Sequence, residues 1–103
     1  HLSIRRQRQM CIRDRPEIMK DIEESTRYYT GIQEGLGKKF VSQLIITLNT
    51  IKRNPFFAAV RYADIRCAQL KGFPYLLHYH VDEENMLVRL LAVYSTYRDP
   101  LTG

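Results

Sequence analysis

The stretch from residue 64 to residue 100 constrains the fold more than any other part of the chain. It reads D-I-R-C-A-Q-L-K-G-F-P-Y-L-L-H-Y-H-V-D-E-E-N-M-L-V-R-L-L-A-V-Y-S-T-Y-R-D-P. Three short runs rich in β-branched and aromatic side chains, residues 65–70, 75–81 and 87–94, are separated by turn chemistry, which is the pattern of an antiparallel meander. Residues 71–74 make the first break, since Pro74 has no N–H to give to a ladder, and the polar run 82–85 makes the second as a hairpin loop. The third run is apolar at both parities through Val88, Leu90, Leu91, Ala92 and Val93. It is therefore expected to be covered on both faces and to form the centre of the sheet.

Upstream, the apolar period lengthens from two to between three and four. Pro16 suits the first turn of a helix, where its missing N–H costs nothing, and Glu17 sits near the positive end of the helix dipole. Ile18 or Met19, Ile22, Thr26 and Tyr29 recur at helical spacing with Lys20, Asp21, Glu23, Glu24 and Arg27 outside, predicting an amphipathic helix that stops near Tyr29 at Thr30-Gly31. A second helix comes after Gly35: Leu36, Phe40, Leu44, Leu48 and Ile51 form its stripe, widened by Val41 and Ile45. Asn54-Pro55 ends it, because the residue before a proline is pushed out of the α region. Residues 56–62 read as a connection to the sheet edge.

Two antiparallel helices and then three strands define an α+β domain in which a helical hairpin packs on one face of a small antiparallel β-sheet. Ile22, Phe40, Leu44, Leu48, Leu77, Leu90 and Ala92 are the expected core. A chain of 103 residues makes one such domain, with a core just large enough to fold alone. At 45% hydrophobic and 26% charged residues it is not an intrinsically disordered composition. Its apolar runs fall far short of the about 20 residues that a membrane helix needs. No apolar block comes after the charged N-terminus, as a secretory signal would require. With two cysteines, Cys11 and Cys67, a reducing cytoplasm is the expected compartment and a structural disulfide is not expected. Nothing in the pattern calls for a cofactor.

The formal net charge is +5, but residues 1–15 hold five arginines against Asp14, which leaves a charge of only +1 for all the rest. Basicity therefore argues little for a nucleic-acid partner. Residues 1–14 offer only scattered Leu2, Ile4, Met10 and Ile12, and the run R-Q-R-Q-M-C-I-R-D resembles translated adapter sequence. The first expectation is an artefactual, basic segment whose removal changes the melting temperature little. The alternatives are a basic arm and a poor edge strand over residues 9–13. Residues 15–103 then form the single domain.

His78 and His80 point to the same side of their strand, and an imidazole titrates near neutrality, as a general acid or base needs. A metal site needs a third ligand, and none stands at useful spacing, Cys67 being on a neighbouring strand whose facing the pattern leaves open. The simpler reading is two polar residues on the exposed face of a half-covered sheet. Alternating Tyr75 and Tyr79 suit packing with wet hydroxyls, whereas Tyr97, beyond the last strand, is the tyrosine best placed for an exposed role. Arg66, Lys71, Arg89 and Arg98 are the sheet-associated cations. Together they suit a phosphate or phosphodiester, or they are solvated strand ends paired with Asp64, Asp82 and Asp99. For Arg89 the pairing is the better reading.

D-I-R at residues 64–66, F-P-Y at 73–75, V-D-E-E at 81–84 and L-A-V-Y-S-T-Y-R-D-P at 91–100 resemble, in order and spacing, the RelE/ParE family of toxins from type II toxin–antitoxin systems of the plasmid-stabilisation kind. With R-P-E-I-M-K-D-I-E-E at 15–24 and G-L-G-K-K-F at 35–40, the resemblance covers about five-sixths of the chain, and the signal lies in the succession of motifs rather than in any one. It implies a β-α-α-β-β-β order, the first strand here degenerate or missing, and a bacterial cytoplasmic toxin held by a cognate antitoxin in a hetero-oligomer. Fold does not choose between the family's two activities. RelE-like members cut messenger RNA in the ribosome with sheet cations and a tyrosine near the C-terminus. In this chain the catalytic roles would fall to His78, His80 and Tyr97. ParE-like members bind DNA gyrase and have no catalytic site. Phe73-Pro74-Tyr75 stands where the nucleases usually place an arginine, and the last strand runs into Tyr94-Ser95-Thr96-Tyr97 rather than a basic cluster. The expectation is therefore ParE-like, with Arg66, Lys71, Tyr97 and Arg98 contacting the target. A ribosome-dependent mRNA endonuclease is the runner-up, and a non-toxic interaction module or decayed toxin the third possibility.

Overall fold

The computed structural model describes residues 10–95. Strand β1 (Cys11–Arg13) leads into helices α1 (Pro16–Ile32) and α2 (Leu36–Arg53), and four more strands follow among the described residues: β2 (Val60–Tyr62), β3 (Ile65–Gln69), β4 (Tyr75–Asp82) and β5 (Leu87–Ser95). They form one sheet in the order β1-β5-β4-β3-β2, and the helices pack against one of its faces. The α+β class is as the pattern predicts. The sheet is mixed rather than antiparallel, because β1 lies parallel to β5 while every other neighbouring pair runs antiparallel.

Helix α1 starts at Pro16 with no side-chain cap, and Glu17 in the first turn complements the dipole. It does not stop at Thr30-Gly31. The helix runs to Ile32, with the Gln33 N–H donating to the Tyr29 carbonyl at 3.2 Å, and the chain turns at Gly35, whose φ is 86°. An interior glycine costs a helix only about 1 kcal/mol, less than the packing of Tyr29 holds in place. Its ring lies 5.3 Å from Phe40, 5.0 Å from Phe73 and 5.9 Å from Tyr75. Gly37 brings the two helices together: a methyl group there would strike the Thr30 side chain and come within 2.9 Å of the Thr26 carbonyl oxygen. Helix α2 buries Phe40, Leu44, Thr47 and Ile51. Ile45 is not part of that stripe and stays 52% exposed, beside Ile46 at 53%.

The central strand is β4, not β5. Residues 75–79 are buried at both parities, whereas β5 alternates, so the strand with the more polar sequence occupies the middle. Tyr75, Leu77 and Tyr79 face the helices, and Leu76, His78 and His80 face away. In β5, Leu90 pairs with Tyr79 and Ala92 with His78, leaving Leu91 as an extra, bulged residue. A bulge flips the parity of the residues beyond it. Ala92 thus falls on the face away from the helices and Val93 takes its place in the core. Phe40, Leu44, Leu77 and Leu90 are buried as expected, while Ile22 and Leu48 are half-buried against them.

Two further segments depart from the sequence pattern. Residues 60–62, expected as plain connection, pair as β2 with β3 through a tight hairpin in which Ala63 and Asp64 have φ of 40° and 64°. Residues 10–13 are part of the fold, which overturns the expectation of a segment outside it. Met10 is 7% exposed within the core, its N–H donates to the Lys52 carbonyl at 3.2 Å, and the Cys11 N–H donates to Met86 at 3.0 Å. Of the three readings, the edge strand describes residues 11–13. No helix of the described residues is long and apolar enough to cross a membrane.

Met10→Ala should accordingly cost about 2–5 kcal/mol, by loss of buried area and the cavity left behind. Urea titration reads this as a lower midpoint at constant slope. An unchanged midpoint would place the segment outside the core after all.

Candidate functional site

Alternation along the strands gives the sheet a second face, turned away from the helices, and the candidate residues distribute unevenly over it. Ile65, Cys67 and Gln69 of β3 pair with His80, His78 and Leu76 of β4, and Ala92 and Arg89 of β5 pair with His78 and His80 from the other side. His78 is not exposed, as two polar residues on an open face would be. It is fully buried, with Nδ1 3.2 Å from the Tyr62 hydroxyl and 3.5 Å from Cys67 Sγ. The Tyr94 ring stands edge-on at 5.2 Å. Without a proton, Nδ1 accepts from the tyrosine O–H; with one, it donates to that oxygen. Such a histidine is a packed, hydrogen-bonded part of the sheet. His80 is half-buried and is the more accessible imidazole of the pair.

The nominated cations do not gather around it. Arg66 pairs with Tyr79 and therefore leaves the sheet on the helix side. Its guanidinium donates to the Ala58 carbonyl at 2.6 Å and to the Phe56 carbonyl at 3.4 Å, and its carbon lies 4.9 Å from the Phe56 ring centroid. Nearby, the Tyr79 hydroxyl donates to the Pro55 carbonyl at 2.7 Å, and burial raises that phenol above its usual pKa. Together Arg66 and Tyr79 fasten the segment that leaves α2 onto the sheet. Arg89 pairs with Asp82 at 3.4 Å. The Asp82 carboxyl also accepts from the Asn85 side-chain amide at 2.9 Å and the Asn85 N–H at 3.3 Å. These hydrogen bonds first, and the Arg89 charge after them, hold it below the ordinary carboxylate range.

Lys71 lies in the turn between β3 and β4, next to Gly72 at φ 82°. It borders a surface pocket of about 410 Å³ whose rim also carries Lys38 and Lys39 and whose apolar lining is Leu36 and Phe73. Those two lysines were missed in the sequence, although the signal is there: residues 36–53 contain four Lys and Arg and no Asp or Glu. A larger cavity of about 630 Å³ lies where Tyr28, Tyr29 and Ile32 of α1 approach Pro74, Tyr75 and Ser95. Tyr97 and Arg98 lie outside the described residues. Among the described residues no three His, Cys, Asp or Glu side chains are placed to hold a metal ion, and Cys11 and Cys67 are thiols that form no disulfide with each other.

No protein-family model matches the sequence and no curated protein does. Its likeness is to solved structures. A chain of the chromosomal ParDE toxin–antitoxin system from P. aeruginosa superposes with a TM-score of 0.68 at 13% identity, over 84% of this chain and 95% of that one. The RelBE2 toxin–antitoxin complex from Mycobacterium tuberculosis gives 0.62 at 17% identity over 86% and 93%, and the isolated RelE toxin of E. coli gives 0.50 at 15% identity over 84% and 83%. At such identities the shared property is architecture, a helical hairpin on a small mixed sheet. The fold of this chain is that of the RelE/ParE toxins.

Two of these contacts can be weighed by substitution. Arg66→Ala should lower stability by about 1–3 kcal/mol, since it leaves the Ala58 carbonyl without its charged donor; a melting temperature equal to wild type would return Arg66 to the set of purely target-facing residues. Asp82 has its folded pKa depressed, so its contribution is fully present above the ordinary carboxylate value of about 3.9 and is lost as pH falls through the lower folded value. Asp82→Asn should therefore flatten the acid limb of a stability-versus-pH curve, and an acid limb identical to wild type would show that the carboxylate plays no part.

Proposed function

We propose that this chain is the toxin of a type II toxin–antitoxin pair and that it acts in the ParE manner, slowing growth by binding DNA gyrase, with a cognate antitoxin neutralising it in a hetero-oligomer. The fold shared with ParDE, RelBE2 and RelE structures supports the toxin assignment. The observation that carries the non-catalytic choice is the scatter of the cations. A ribonuclease needs a base for the attacking 2′-hydroxyl, an acid for the leaving oxygen and positive charge at the phosphate. Among the described residues, His78 is buried and Arg66 is engaged by Ala58 and Phe56 on the helix side. Lys71 borders α2 instead. His80 faces, across the strand, an Arg89 already paired with Asp82.

Inhibition by binding requires only a complementary surface, and it survives the absence of such a cluster. Lys71, Tyr97 and Arg98 are assigned to target contact, with Arg66 contributing by holding the segment after α2 in place.

Induced expression in bacteria should arrest growth and block DNA supercoiling by purified gyrase, while primer extension finds no new transcript ends. His80→Ala should leave the arrest within about twofold of wild type, and Arg98→Glu should weaken it by charge reversal. Discrete ribosome-dependent cuts that disappear in His80→Ala would overturn the choice in favour of an mRNA endonuclease. Absence of any growth effect would favour a non-toxic interaction module.

A further inference from the structure

The sheet face turned away from the helices carries a thiol and an imidazole that the toxin function does not use. Cys67 of β3 and His78 of β4 are a cross-strand pair, and Sγ lies 3.5 Å from Nδ1. The two differ in depth: His78 is wholly buried, whereas Cys67 is only partly covered. The base therefore lies beneath the nucleophile. Nδ1 also meets the Tyr62 hydroxyl at 3.2 Å, and the Tyr94 ring stands edge-on to the imidazole at 5.2 Å, so neighbours on β2 and β5 fix the ring in place.

Nδ1 has room for one proton. Without it, the lone pair accepts from the S–H or from the phenol; with it, the N–H donates to a thiolate or to the phenol oxygen. The protonated ring sets a positive charge beside sulfur, which favours thiolate over thiol. Around the pair stand Tyr62 on β2, His80 on β4 and Tyr94 on β5. The nearest acids in sequence, Asp64 and Asp82, lie in the turn before β3 and at the far end of β4, where Asn85 and Arg89 engage Asp82. Cys11 supplies a contrast within the same chain. It is exposed, and its thiol has no hydrogen-bond partner among the described residues. With no third metal ligand beside Cys67 and His78 among those residues, the chemistry that remains to the pair is that of an activated nucleophile.

We propose that Cys67 is a covalent modification site, a thiol activated by His78 that adds to small α,β-unsaturated carbonyl compounds. The S–H proton passes to Nδ1. Sulfur then forms an S–C bond to the β-carbon of the electrophile while the C=C π electrons move onto the carbonyl oxygen as an enolate, and the imidazolium returns the proton to the α-carbon. The reaction is an addition, with no leaving group and nothing oxidised or reduced. It goes beyond the toxin assignment and does not depend on it.

N-ethylmaleimide, an electrophile of this class, is the probe, applied at limiting concentration to the purified chain while peptide mass mapping follows each cysteine separately. At about pH 6 an ordinary thiol is almost wholly protonated. Cys67 should there react about tenfold faster than Cys11, against the order of their exposure. Between about pH 6 and pH 8 the Cys11 rate should rise by about 75-fold, with its thiolate fraction, and the Cys67 rate by less than about fivefold. His78→Asn keeps a polar side chain but takes up no proton, and it should leave Cys67 no faster than Cys11 at the lower pH. Where that variant folds poorly, the wild-type comparison decides alone, since it needs no substitution. Cys67 rates that rise in parallel with those of Cys11, or a Cys67 that reacts only after urea is added, would overturn the proposal. So would an advantage that survives in folded His78→Asn, because the imidazole would then not be its source.

Discussion

Phe40 projects from the second turn of α2 into a nest of rings, 5.3 Å from Tyr29, 5.3 Å from Phe73 and 5.1 Å from Tyr75. Tyr29 comes from α1, Phe73 from the turn before β4 and Tyr75 from β4 itself, so a single group of edge-to-face and stacked contacts fixes both helices to the middle of the sheet. Aromatic pairs of this kind contribute beyond the area they bury and prefer particular angles. The angle between hairpin and sheet is thereby set, and with it which side of every strand meets the core. Gly37 permits the arrangement by letting α1 and α2 approach closely enough for Tyr29 and Phe40 to stack.

Most of the architecture is legible in the sequence because it rests on local rules. Asn54-Pro55 ends α2 where the proline rule places the end, and the three long strands fall within a residue or so of the alternating runs. The misreadings arise where a distant partner decides. Thr30-Gly31 has the chemistry of a helix stop, yet the packing of Tyr29 carries α1 through it. Ala92 shares the parity of Leu90 in the sequence, and only the bulge at Leu91 separates them. The run Leu87–Ser95 is more uniformly apolar than β4, but β4 is central because β3 and β5 both pair with it, which composition does not reveal. Residues 10–13 carry little pattern of their own; Met10 and Ile12 owe their places to α2 and β5.

The candidate site was less legible, for a related reason. A histidine pair at alternate positions announces a shared face and says nothing about depth. Tyr62 and Cys67, on two other strands, are what put His78 in contact with polar partners while closing it from solvent. Arg66 has the charge of a phosphate ligand, and its register opposite Tyr79 turns it toward the chain leaving α2. Lysines 38 and 39, by contrast, were visible all along in a helix without a single acid, but a basic helix face is conspicuous only once its neighbours in space are known.

The parallel pairing of β1 with β5 joins Cys11 to Leu87 and Ile12 to Val88, almost the full length of the described chain. The hairpins β3–β4 and β4–β5 and the α1–α2 pair all close over short loops, so they form with little loss of chain entropy, whereas β1 can pair only after everything between has been placed. Of the five described strands, the one that leaves the ribosome first is thus the last to find its place in the sheet. Until β5 has emerged, the backbone of β1 has no strand to pair with, and the sheet is completed after synthesis of the domain rather than during it.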